Sequence, residues 1–321
     1  MLFVAKRLGS ALLVMFAISI VVFLIFFATP GVDPAARLAG RGASPEVLSQ
    51  VRHAFGFDQP LPVRYVLMMD HLFVTRDLTS YVNIGDKVVP QIMQAAPVTL
   101  SLVLGAAIIW IVLGLGGGIL ATRFRGSVVD PIIMVIGIAA VSLPAYWVGE
   151  VVNLITQDRL HDTVFSWVPP LGYVPFAQNP GQWALHLLFP WLTLALLYGG
   201  IYARVLRAEL VTAMGEDYVR TGRAKGLSER RILWRHALRG SLSPVVSLFG
   251  LDLGSLIGGA ALLTEVVFGL PGIGKLTWDS LQNLDLPVIM ACVLYAAFFV
   301  VAANAIVDLL YAVIDPRVRR A

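Results

Sequence analysis

Val98-Thr-Leu-Ser-Leu-Val-Leu-Gly-Ala-Ala-Ile-Ile-Trp-Ile-Val-Leu-Gly-Leu-Gly-Gly-Gly-Ile-Leu-Ala121 carries no charged side chain. A hydrocarbon core of roughly 30 Å takes about 20 helical residues to cross, so this stretch reads as a helix embedded in lipid. Leu8–Ala28 and Trp183–Tyr202 are equally free of charge, while Pro131–Ile155 holds Glu150, Leu242–Leu263 holds Asp252, and Val288–Val307 is followed by Asp308. The sequence therefore predicts an all-α integral membrane protein with about six spans. Composition agrees: of 321 residues 58% are hydrophobic and 14% charged, against about 25% charged in soluble domains.

Lys6 and Arg7 precede the first span as they would precede a secretory signal. Its apolar run exceeds the roughly 7 to 15 residues of a signal peptide, and Ala28-Thr29-Pro30 makes a poor cleavage site, so it is read as a retained helix. The one cysteine, Cys292, lies in the last span; it allows no intrachain disulfide or cysteine metal cluster and is read as packing.

Lys and Arg concentrate on the cytoplasmic side of short loops. Lys6, Arg7, Arg123, Arg125, the nine basic residues from Arg204 to Arg239, and Arg317, Arg319 and Arg320 make sixteen of the 24. They fall at the termini and in even-numbered loops, which predicts that both termini are cytoplasmic. The same bias accounts for the pI of about 9.3 without nucleic acid as a partner; membrane lipid is the solvent.

The expected organisation is an N-terminal membrane helix over residues 1–30, an external subdomain of short helices over 31–96, a membrane core over 97–312 and a tail over 313–321. Pro34, Pro45, Pro60, Pro62 and Pro90 interrupt the external segment, among hydrophobics such as Phe55 and Phe57. The segment 156–182 has Trp167, Pro169, Pro170 and Tyr173, which suits an interfacial loop with aromatic anchors; whether it adds a short helix stays open. The loop 204–240 reads as helix, tight turn, helix: Gly226 suits a left-handed helix end, Ser228 a cap, and Glu229 the positive end of the next helix.

Gly269-Leu-Pro-Gly-Ile-Gly-Lys275 looks like a phosphate-binding loop. Leu276 stands where the magnesium-binding hydroxyl would be and no strand precedes it, so it is read as an external re-entrant turn. His53, His71, His161, His186 and His236 lack the spacing of a zinc site. Gly114, Gly116, Gly117 and Gly118 read as helix packing. Gly250, Gly254 and Gly258 form two overlapping GxxxG units, hence a flat helix face. Asp252 in that helix would cost about 2.5 to 3.5 kcal/mol if it faced lipid, so it must face a partner or water. Asp252, Glu150 and Glu265 are candidate pathway or packing acids.

Tyr218-Val-Arg-Thr-Gly-Arg-Ala-Lys-Gly-Leu-Ser228 resembles the coupling-loop sequence of B-type permease subunits in the dipeptide and oligopeptide branch of binding-protein-dependent ABC importers. That branch commonly reads Tyr-Val-Arg-Thr-Ala-Arg-Ala-Lys-Gly-Leu-Ser, so ten of eleven positions match. The exit Pro30-Gly31 to Asp33-Pro34, Asp58 to Tyr65, Pro144 to Trp147, Phe268 to Leu276 and Asp308 to Arg317 are also similar to family blocks. The departures are Gly222 in place of alanine, which loosens the helix by up to about 1 kcal/mol, and one extra residue between Gly259-Ala260 and Thr264-Glu265. An inserted residue turns a helix by about 100° unless a π-turn or a helix end absorbs it.

The resemblance implies the type I ABC importer permease architecture and a transport role without catalysis on this chain. It implies three kinds of partner: a second permease of the different C-type, two cytosolic ATPase subunits carrying ATP and Mg, and an external solute-binding protein. The coupling element would be Tyr218, Arg220, Thr221, Gly222, Arg223, Ala224, Lys225, Gly226 and Leu227. Di- or oligopeptides are the implied solute, with nickel, glutathione and sugar as alternatives in the branch. The competing reading is an ion-coupled secondary transporter in which Asp252, Glu150 or Glu265 carries protons.

Overall fold

The computed structural model describes residues 2–27, 35–36, 39, 42–83 and 85–314. Pro30-Gly31, Asp33-Pro34 and the tail from Asp315 with Arg317, Arg319 and Arg320 lie outside the described residues. The described chain has no strand, only an isolated antiparallel bridge between Thr79 and Lys87.

Among the described residues five helices are long and apolar enough to cross a membrane, and a bent pair supplies a sixth crossing if counted as one span. α1 is Leu2–Phe27. Among the residues described after it are the short helices α2 (Pro45–Ala54) and α3 (Leu61–Phe73). The helix that carries the second apolar window starts ahead of residue 97: α4 runs from Val88 to Arg123. Pro90 sits in its first turn, where no backbone N–H has an intrahelical acceptor to lose.

The third apolar window is not one rod. α5 (Val129–Ser142) and α6 (Ala145–Asn153) meet at 93°. Leu143 is extended at φ −106° and ψ 135°, the conformation that a following proline, Pro144, favours. A π-turn, Leu154–Arg159, continues α6, and turns without a further helix lead from there to Asn179.

α7, Pro180–Ala213, packs along α4. The glycine run of α4 permits this: a Cβ on Gly117 would lie 3.1 Å from Ala203 and one on Gly118 2.9 Å from Leu206. Around this seam Leu102, Trp110, Leu194, Tyr202 and Leu206 form the larger buried core. A second core joins Phe23 and Phe27 of α1 to Met68 and Leu72 of α3 and to the last helix.

After α8 (Asp217–Ala224) and α9 (Glu229–Ile232) comes a π-turn, Leu233–Ala237, and then α10, Leu238–Ser255. The window Leu242–Leu263 does not continue as one helix. A π-turn over Leu256–Ala260 absorbs the extra residue, Gly259 adopts φ +124°, and α11 (Leu262–Val267) starts afresh. α12 is Ile273–Asn283 and α13 is Leu286–Ile314. Against α13 a Cβ on Gly254 would lie 3.0 Å from Ala303, and one on Gly258 2.6 Å from Val300. Gly250 is buried on the same helix.

Candidate functional site

α7 continues to Ala213, so residue 204, the expected start of the loop, lies inside a helix. The connection itself holds α8, whose first turn carries Asp217 and whose last turn carries Arg223, charges that suit the helix dipole. Its end is closed by two backbone bonds: Leu227 donates to the Gly222 carbonyl at 3.1 Å and Gly226 to the Arg223 carbonyl at 2.9 Å. Gly226 has φ +74°. This is the Schellman pattern, which depends on a left-handed residue after the helix. The side chains of Leu227 and Ile232 close over Gly222, and Ser228 caps α9 by accepting the Arg231 amide at 3.4 Å.

One face of this hairpin is buried through Val219, Gly222, Ile232 and Leu233, and the other is open. Tyr218, Arg220, Thr221, Arg223, Ala224 and Lys225 all lie on the open side. Arg223 makes a bidentate bond to Glu229 at 2.6 and 3.1 Å, and that bond holds its guanidinium above its ordinary value. Arg220 reaches Asp217 at 3.3 Å in full solvent, where an ion pair is weak. Lys225 has no ion partner among the described residues. The result is a compact, backbone-closed knob with cations and one aromatic ring outward. It can seat in another protein and transmit force; it holds no nucleophile and base pair.

The three candidate acids are separate. Asp252 accepts the Tyr202 hydroxyl at 2.8 Å, which ties α10 to α7. Glu265 is fully buried and accepts the Thr99 hydroxyl at 2.6 Å and the Lys275 amide at 3.0 Å. Thr99 in turn accepts the Ile273 amide at 2.8 Å. Of the amides opening α12, which a phosphate-binding loop would offer to nucleotide, that of Lys275 therefore bonds a carboxylate of the same chain and that of Ile273 the Thr99 hydroxyl. Glu150 stands exposed on α6 with no hydrogen bond among the described residues.

Sequence reasoning missed the partners of these acids. Thr99 and Tyr202 lie inside uniform apolar windows that give no signal for them. It also missed the bidentate pair from Arg207 to Asp130, at 2.5 and 2.6 Å, which joins α7 to α5. Asp285 accepts the Ser80 hydroxyl and the Tyr81 amide, the latter at 3.0 Å; its place before Leu286-Pro287 was a legible helix start.

A family model described as the binding-protein-dependent transport system inner membrane component matches residues 114–320. A second, for the N-terminal part of such membrane components, matches residues 1–103. A putative peptide transport system permease protein of Brucella abortus is 38% identical over 98% of each chain. The di/tripeptide transport system permease protein of Pseudomonas aeruginosa is 32% identical, covering 99% of this chain and 98% of its own. The glutathione transport system permease protein of Escherichia coli is 34% identical over 99% and 98%.

Proposed function

The chain belongs to the family of inner membrane components of binding-protein-dependent transport systems, and from that premise we propose that it imports di- or oligopeptides through a path shared with a second, different permease chain. It is a multi-pass permease subunit of an ABC importer and not an enzyme; the ATPase is a separate component. In our reading ATP and Mg are bound by two ATPase subunits on the cytoplasmic side, together with both termini, and the segment 31–96 meets a solute-binding protein outside. The Lys and Arg bias supports that orientation.

The peptide reading rests on what the relatives are named for; glutathione is itself a tripeptide. Docking of the ATPase rests on one observation, the open face of α8 held rigid by the turn at Gly226. A rod seated in a groove of the ATPase would carry its closure to the spans, a two-state change biased from a distant site.

The test is uptake of a labelled dipeptide into proteoliposomes holding the whole importer. Uptake is expected to need both ATP and the binding protein. Uptake that persists without the ATPase subunits and collapses with the proton gradient would overturn the proposal.

A further inference from the structure

Leu248, Leu251, Asp252, Ser255 and Gly259 recur at helical spacing along α10 and its π-turn, and are open or partly open. The opposite side, with Gly250 and Gly254, is buried. Asp252 is the one acid between Leu238 and Ala261. Tyr202 engages its Oδ2, while Oδ1 has no hydrogen-bond partner among the described residues. Tyr198, one turn earlier on α7, stacks on Trp110 with ring centroids 4.9 Å apart. The Ser255 hydroxyl donates to the Asp252 carbonyl at 2.9 Å, which leaves its oxygen free to accept. No Lys, Arg or His pairs with the carboxylate among the described residues.

A half-open carboxylate inside a membrane span is too costly to face lipid, so this face needs water or a partner. No cation among the described residues pairs with it, whereas a peptide carries one in its terminal ammonium. We propose that Asp252, flanked by Ser255, Tyr198 and Tyr202, lines the translocation path and receives the amino terminus of the peptide in transit. The free carboxylate oxygen pairs with the ammonium while the Tyr202 hydroxyl holds the other oxygen in place. This inference rests on the peptide-import reading.

The experiment compares uptake of alanyl-alanine and its N-acetyl form, each saturating the same binding protein, in proteoliposomes of the whole importer. Yield of assembled complex is recorded for every variant. With Asp252→Asn the ratio of free-amine to acetylated uptake is expected to fall about tenfold, and Asp252→Glu to restore it. A purely structural role would lower both uptakes together; an unchanged ratio in Asp252→Asn therefore overturns the inference and leaves peptide import standing. A wild-type importer that takes up neither peptide overturns peptide import, and this inference with it.

Discussion

Thr99 donates its hydroxyl to Glu265 at 2.6 Å and accepts the amide of Ile273 at 2.8 Å, so one side chain on α4 holds both the buried acid of α11 and the start of α12. Thr99→Val keeps the shape but leaves a buried carboxylate short of one donor and a backbone N–H without an acceptor. Such losses cost about 1 to 3 kcal/mol each. The thermal midpoint of the purified complex should fall clearly, and fall further with Glu265→Ala, which strips every bond at the carboxylate. An unchanged midpoint in Thr99→Val would show that the tie is dispensable.

The glycine face of α10 meets α13 at backbone range, with Ala303 and Val300 in the space that a side chain would need. Overpacking a formed seam costs about 1 to 3 kcal/mol or more. Gly254→Leu and Gly258→Leu should each reduce complex yield and uptake. Gly116→Ala is the control, since a Cβ there meets nothing within 4 Å. Normal yield in both leucine variants would remove the packing role of this face.

Much of this was legible in order and kind but not in bounds. Charge-free windows such as Val98–Ala121 located the spans, because exclusion of charge from lipid acts on every residue. The same windows hid the break at Leu143-Pro144 and the true start at Val88, since hydropathy averages over a proline that decides backbone geometry locally. The turn at Gly226 could be read because a left-handed helix end leaves a glycine behind, and the π-turn because one extra residue disturbed a spacing. Asp252 and Glu265 were visible as misplaced acids. Their partners Tyr202 and Thr99 were not, because a hydroxyl within an apolar helix looks the same whether or not a distant element reaches it.

At Gly222 the structure leaves room for a methyl: a Cβ there would sit 3.6 Å from Leu227, an ordinary contact. Gly222→Ala should stabilise α8 by about 0.4 to 1 kcal/mol. Amide hydrogen exchange across Asp217–Ala224 is expected to slow several-fold. Faster exchange would mean that Leu227 and Ile232 cannot accommodate the methyl.

In the proposed function the hairpin around Gly226 couples this permease to the ATPase. Proline at Gly226 cannot adopt φ +74° and removes the N–H that bonds to the Arg223 carbonyl. The end of α8 should tilt or melt, while the membrane helices, which do not use that turn, stay in place. The deciding measurement is made on the Gly226→Pro complex: co-purification of the ATPase subunits and ATP hydrolysis stimulated by the loaded binding protein. The expected result is a chain that is inserted and abundant but has lost its ATPase subunits, or one that retains them without stimulated hydrolysis. Wild-type values for both quantities would contradict the assignment of this loop as the coupling element.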